Sequence, residues 1–230
     1  MDYTISDKLK ERLKRIRENL LNGESLHSFA IKHKYCHSAL DLLSNQGLSF
    51  ETQRELSEQA KGKTFQHLKD DRNIYEYDLN LIAGWVVEDY IVDNSSGMLK
   101  LNGSDKERNI LLNAETIKNT SDLINPHNGM QIEVHTEYFM RFGEYTDASI
   151  KLRDNKYQHL KEDNAFLLVV NIPSRTYILK RVTDFQAKYE ESNPKYGGKS
   201  VWDLSLDNIS KEFKPLNYLF EIMKVKSTNI

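Results

Sequence analysis

An apolar stretch at residues 165–172, broken only by Asn171, constrains the fold of this chain more than any other sequence feature. Residues 166–170 read Phe-Leu-Leu-Val-Val, with Pro173 just beyond the stretch. An unbroken apolar run of this length is typical of a strand that is buried on both faces. Residues 149–164 before it predict an extended segment that turns into a basic helix, and residues 175–180 after it predict a paired strand. The order predicts an α/β fold with a central mixed sheet flanked by helices.

Composition and charge narrow the classes of protein. The chain has 230 residues, 39% of them hydrophobic, and no apolar run long enough to predict a membrane-spanning helix. Its first residues lack the pattern of a secretory signal, so we expect a cytoplasmic protein with no membrane partner. The single cysteine, Cys36, excludes an internal disulfide and a thiolate zinc cluster, and we expect it to be buried. A net charge of −2 argues against indiscriminate binding of polyanions.

The N-terminal part predicts a helical module at residues 1–70, with a boundary near Asp70-Asp71 and a second domain at residues 71–230. Its first helix spans about residues 5–21, with Ser6 or Asp7 as N-cap and Gly23 just beyond its end. The other face of this helix is rich in Lys and Arg, which fits either a solvated surface or contact with nucleic acid. Four apolar residues keep helical spacing along it: Leu9, Leu13, Ile16 and Leu20.

Residues 25–43 resemble the bacterial helix-turn-helix pattern. The predicted second helix begins at Ser25, breaks at residues 34–36, and is followed by a third helix from about His37 to Gly47. Lys34 stands where that family usually has Gly, and Ala30 occupies the close-packed position. Apolar positions of the pattern fall on Tyr35, Leu40 and Leu43. The resemblance implies that the third helix reads base edges from its exposed start, and the residues expected to contact DNA there are Lys34, His37, Ser38 and Asp41.

The second domain opens with an apolar helix predicted at residues 77–93 and ended by residues 94–97. Glu88 falls on the broad apolar face that includes Leu81 and Trp85. A carboxylate directed inward from that face requires a hydrogen bond, a cation or a metal, whereas a carboxylate at the rim does not.

Residues 131–137 predict a strand that collects metal-ligand side chains on one face. Gln131, Glu133, His135 and Glu137 alternate with apolar Ile132 and Val134, so the four polar side chains point the same way, about 7 Å apart in succession. Asn128-Gly129 before the strand is a hairpin signal. A hairpin there would bring Asp122 near Glu133. The other interpretation is a half-buried strand with a solvated outer face.

Residues 75–180 together resemble the PD-(D/E)xK nuclease fold of type II restriction endonucleases. The resemblance implies that Asp122 and Glu133 are the paired metal-binding carboxylates and that Glu88 is the helix glutamate that assists them. It also implies a Mg²⁺ cofactor, a double-stranded DNA substrate cut at a specific sequence, and a homodimer, since cutting both strands of a palindrome favours two-fold symmetry. Two features depart from the family: His135 stands where Lys is usual, and Pro126 follows Asp122 instead of preceding the acidic residue.

Several assignments remain open at the level of sequence. His135 could orient or deprotonate the attacking water or stabilise the phosphate, and Lys151 is a second candidate for the missing cation. Glu137 could enlarge the metal shell, and Arg153 and Lys156 on the basic helix are expected to contact DNA. The first carboxylate could instead be Asp93, Asp105 or Glu115. Residues 183–200 predict a flexible basic loop that reaches a DNA groove or an ordinary surface connection.

Two functions from other classes stay possible: a non-catalytic helix-turn-helix regulator, and an interaction protein on a decayed nuclease fold. The chain has no Gly-rich phosphate loop, Gly-x-Ser-x-Gly elbow or His-Glu-x-x-His pattern. Nucleotide hydrolase, esterase and zinc-protease functions therefore have little support.

Overall fold

The computed structural model describes residues 5–45, 74–109, 120–139, 149–206 and 212–227. The chain divides into two compact units: Met1–Asp89 with Ser104–Lys118, and Tyr90–Gly103 with Asn119–Ile230. The boundary predicted near Asp70-Asp71 lies outside the described residues and stays a prediction. The alternative carboxylate Glu115 also lies outside them.

Three short helices open the first unit: α1 (Asp7–Asn19), α2 (Leu26–Lys32) and α3 (His37–Asn45). The Ser6 side chain caps α1 by accepting a hydrogen bond from the Leu9 amide at 3.4 Å. Lys34 adopts φ +57°, the left-handed conformation for which helix-turn-helix turns usually use glycine. The turn between α2 and α3 is therefore made without glycine, and the predicted break at residues 34–36 is confirmed.

The buried face of α3 is displaced from its predicted position. Ala39 and Leu42 are buried, whereas Leu40 is only half-buried. Ser38 is also buried, so the expectation that it lies on an exposed helix start is wrong. Cys36 is half-buried instead of buried. The reason is that α3 buries the side that bears Ala39 and Leu42, and Ser38 lies next to that side.

Helix α4 (Ile74–Asn94) confirms the predicted apolar helix. Its most buried positions include Ile82, Trp85 and Asp89, while Leu81 and Glu88 are only half-buried, so the predicted inward face was rotated by about one residue. Asp89, which the sequence analysis did not single out, is 2% exposed. A helix that is apolar all round gives no sequence signal for its most buried stripe.

A buried arginine holds the first unit together at the start of α3. Arg108 pairs with Glu88 at 2.7 Å and with Asp89 at 3.4 Å. The Tyr35 hydroxyl donates to Asp89 at 2.6 Å, and the Arg108 backbone carbonyl accepts from the Cys36 amide at 2.8 Å. Glu88 thus has a cation partner, as an inward carboxylate requires. This network fixes the α2–α3 turn against α4.

In its described part, the second unit is built on a mixed sheet of six strands with the order β1-β2-β3-β5-β6-β9. Strands β3 and β5 are parallel and the other neighbours are antiparallel. Between β3 and β5 the chain forms β4 and helix α5, and a last helix, α6, follows β9. The bounds are β1 (Lys100–Leu101), β2 (Leu123–Ile124), β3 (Gln131–Glu137), β4 (Ser149–Arg153), α5 (Asp154–Glu162), β5 (Phe166–Asn171), β6 (Thr176–Arg181), β9 (Lys214–Pro215) and α6 (Leu216–Ser227).

The α/β prediction is confirmed for this sheet. All residues of β5 after Phe166 are buried, as expected for a strand covered on both faces. On one face, Leu167 and Val169 pack in a cluster with Tyr157 and Leu160 of α5. No helix in the described part of the chain is both long and apolar enough to cross a membrane.

A second, three-stranded antiparallel sheet was not predicted. It has the order β4-β8-β7, with β7 at Ala187–Asn193 and β8 at Lys199–Ser205. Residues 183–200 are therefore neither a flexible loop nor a plain connection. The sequence Asn193-Pro194 with Gly197-Gly198 indicated a loop, but it only forms the short turn between the two strands.

Replacing Arg108 with methionine should lower the free energy of unfolding by about 3–5 kcal/mol, because it leaves buried carboxylates without their cation. Denaturant unfolding followed by circular dichroism measures this. Lys106→Met, at an exposed position two residues away, is the matched control and should stay within about 0.5 kcal/mol of wild type. Equal stability of the two variants would show that the network does not hold the unit together.

Candidate metal and phosphate site

The hairpin between β2 and β3 brings Asp122 and Glu133 together, as predicted. Leu123 pairs with Ile132 across the hairpin, and Gly129 in its turn has φ +72°. The Asp122 carboxylate accepts a hydrogen bond from the Val134 amide at 2.8 Å. It also interacts by hydrogen bond and by charge with the Glu133 carboxyl group. The carboxyl groups of Asp122 and Glu133 are therefore neighbours on the sheet.

The environment of Glu133 disfavours its negative charge. Burial raises the pKa of Glu133 to about 8, the neighbouring charge of Asp122 adds to the increase, and Lys156 opposes it. Its side chain is 13% exposed. At neutral pH the pair therefore retains a proton, and the site would gain from additional positive charge.

Lys156 supplies the cation of this site. It lies in the first turn of α5, and its ammonium is 2.8 Å from Glu133 Oε2 and donates to the Thr120 carbonyl at 3.0 Å. From the sequence, Lys156 is expected to contact DNA and not the carboxylate pair. The position of Lys156 in α5 could have indicated this contact. Tyr157 and Leu160 form the buried side of the helix, and Lys156 directly precedes Tyr157. Lys156 therefore borders the helix face that packs on the sheet.

Lys151, the second candidate for the cation that the family's lysine supplies, has other partners. It lies on β4 in the small sheet, with its ammonium against the Asp203 carboxylate and 3.1 Å from Glu190. Those two carboxylates raise its pKa, Asp203 more than Glu190. Arg153 ends the same strand and is exposed.

His135 and Glu137 share the strand face of Glu133 but continue away from it. His135 is half-buried and lies opposite Val169 of β5. The Glu137 carboxylate accepts from the Phe139 amide at 2.6 Å. Strand rise separates Glu137 from Glu133 by about 13 Å of backbone. Accordingly, no three His, Cys, Asp or Glu side chains form a metal-binding group within the described ranges, and Asp122, Glu133 and Glu137 do not form the predicted trio.

The remaining predicted residues are distributed over the first unit and the end of α4. Glu88 is engaged by Arg108, as is Asp105 at 3.6 Å. Asp93 is exposed near the end of α4. Of the four residues expected to read DNA, Lys34 and His37 are exposed, Asp41 is half-buried and Ser38 is buried.

The residues at the carboxylate pair fit a hard divalent cation. Mg²⁺ prefers oxygen ligands and is commonly held by one or two carboxylates together with waters. Asp122 and Glu133 would hold such an ion. Their adjacency and the raised pKa of Glu133 indicate a position where added positive charge is stabilised.

Comparison of the chain with protein-family models, curated proteins and solved structures found no match.

The stability of the metal-free protein should fall as the pH rises from about 5 to about 8. The folded protein holds a proton on Glu133 up to about pH 8, whereas the unfolded chain releases it near 4.5. At about 1.4 kcal/mol per pKa unit, the loss amounts to a few kcal/mol. Glu133→Gln, which cannot ionise, should flatten this slope. Chemical denaturation in EDTA across this pH range tests it, and equal slopes for wild type and Glu133→Gln would contradict it.

Proposed function

We propose that the second unit is a Mg²⁺-dependent nuclease that hydrolyses phosphodiester bonds in DNA. Asp122 and Glu133 would form its catalytic site. The observation that carries the proposal is the half-buried pair of adjacent carboxyl groups with one lysine ammonium against it. The hairpin followed by a parallel strand is the arrangement expected for a PD-(D/E)xK nuclease. Hard oxygen ligands beside a cation suit chemistry on a phosphate better than nucleophilic catalysis by Ser or Cys.

Each residue of the site has a distinct part in the proposed reaction. Asp122 and Glu133 would hold the ion, and the Val134 amide orients Asp122 by its hydrogen bond. When bound, Mg²⁺ lowers the pKa of a water and neutralises charge on the phosphate. Lys156 would donate to a phosphate oxygen and offset the negative charge that develops there. In this proposal Lys156 takes the role of the lysine that the family usually has at His135.

His135 has a secondary part in the proposal. It lies on the same face as Glu133, about 7 Å along the strand. From there a neutral imidazole could orient or accept a proton from the attacking water. Glu133, by contrast, must release its own proton before it can bind an ion, and burial raises its pKa, so the proposed activity increases with pH.

The proposed substrate is double-stranded DNA cut at a specific sequence by a homodimer. We infer a dimer because a two-fold arrangement would present one site to each strand of a palindrome. The helix-turn-helix resemblance of α2 and α3 supports a DNA target, although the burial of Ser38 removes one of its expected base contacts.

Cleavage of methylated and unmethylated plasmid and phage DNA tests the proposal. Wild type should give discrete fragments with Mg²⁺ and none with EDTA. Asp122→Asn, Glu133→Gln and Lys156→Met should each lose at least about 100-fold in rate, because each removes a group that acts on the ion or on the phosphate.

Lys151→Met is the matched control for Lys156→Met. Lys151 is five residues away and also paired with carboxylates, but it lies in the small sheet. Its replacement should change the rate by no more than a few-fold. A loss in Lys151→Met, with wild-type activity retained in Lys156→Met, would assign the cation role to Lys151 instead. No cleavage of any DNA by folded wild type would favour the two non-catalytic functions.

A further inference from the structure

A groove in the first unit combines an apolar floor with a cationic rim. It has a volume of about 260 Å³ and lies among α1, α2, α3 and the first part of α4. Leu42 and Leu79 form buried parts of its lining, and Leu13, Leu26 and Leu43 are half-buried there. Leu13 belongs to the apolar stripe of α1, yet it lines this groove while Leu9 and Ile16 enter the core. The groove is thus an apolar surface that the described helices leave partly open.

Three cations of α1 border the groove: Lys10, Lys14 and Arg17. All three are exposed, and the ion pairs that they form with described residues lie within their own helix, at 3.1 Å to Asp7, 3.7 Å to Glu11 and 3.5 Å to Glu18 respectively. Exposed ion pairs of this kind contribute about 0–1 kcal/mol. Carboxylates of a partner could therefore replace them at little cost.

The form of the groove distinguishes between possible occupants. A nucleic acid duplex would use the cations, but its charged backbone offers little apolar surface to cover the leucine floor. The volume lies below the range of about 300–1,000 Å³ typical of sites that enclose small ligands. The cations are one helical turn apart over about 10 Å, which matches a row of carboxylates better than a single anionic headgroup. An amphipathic helix with acidic residues beside an apolar stripe meets all three conditions.

We propose that this groove binds an acidic amphipathic helix of a partner protein. Leucine side chains at a helical spacing of three and four would enter the groove, and flanking Asp or Glu residues would pair with Lys10, Lys14 and Arg17. The proposal is independent of the nuclease activity, because all the residues that carry it belong to the first unit.

The test is binding of a fluorescent synthetic helix of about five turns, with leucines along one stripe flanked by glutamates, to the full chain. A twin peptide with lysine in place of glutamate controls for charge. Fluorescence anisotropy should show saturable binding of the acidic peptide, weakened by salt, and at least tenfold weaker binding of the twin. Lys14→Glu should weaken binding of the acidic peptide at least tenfold. Lys8→Glu, an exposed position on α1 outside the groove lining, should change it less than twofold.

Leu13→Gln tests the apolar contribution to peptide binding. This variant should also weaken binding of the acidic peptide, while circular dichroism shows the wild-type helix content. Absence of peptide binding, or equal losses for Lys8→Glu and Lys14→Glu, would overturn the proposal. Binding of a DNA duplex that is lost in Lys14→Glu, without peptide binding, would assign the cationic stripe to nucleic acid instead.

Discussion

The parallel pairing of β3 with β5 is the constraint on which the second unit depends. Parallel neighbours cannot be joined by a tight turn, so the chain must cross over one face of the sheet, and α5 belongs to that crossover. The crossover places the first turn of α5 beside β3, where Lys156 reaches Glu133 at 2.8 Å. The hydrophobic cluster of α5 with β5 keeps this helix in position. A site made from a hairpin and a crossover helix therefore follows from one strand pairing and the packing that supports it.

Lys151 and Lys156 illustrate how placement decides the chemistry of identical side chains. The two residues lie five positions apart, and each faces carboxylates. Lys151 lies on a strand of the small sheet, between two partly exposed carboxylates, where its charge stabilises a surface network. Lys156 lies against a largely buried carboxyl group, 13% exposed, whose pKa is raised to about 8, a setting in which a cation has a larger electrostatic effect. The proposed catalytic role follows that environment.

The elements that the sequence predicted best are those with a strong local pattern. Helix α1, helix α4, the hairpin turn at Gly129 and the strand pair β5–β6 all occur where residue periodicity and turn residues placed them. The errors concern which side of an element is buried and which segments pair over long distances. Ser38 was expected to be exposed because the predicted buried face of α3 differs by one residue from the observed one. The strands β7 and β8 were missed because Pro194 and two glycines suggested a loop, while their pairing with β4 depends on residues far away in the chain.

The sequence by itself determined the buried strand, the carboxylate-bearing strand and the proximity of Asp122 to Glu133, because alternation and an Asn-Gly turn are local properties with a fixed geometry. Only the tertiary structure decided that Lys156 and not Lys151 meets this pair, that Glu137 stays apart from it, and that Glu88 is bound by Arg108. These outcomes depend on which helix packs on which face of a sheet and on the burial of each charge. Helix packing and the burial of a charge both depend on many long-range contacts, so no single residue of the sequence indicates them.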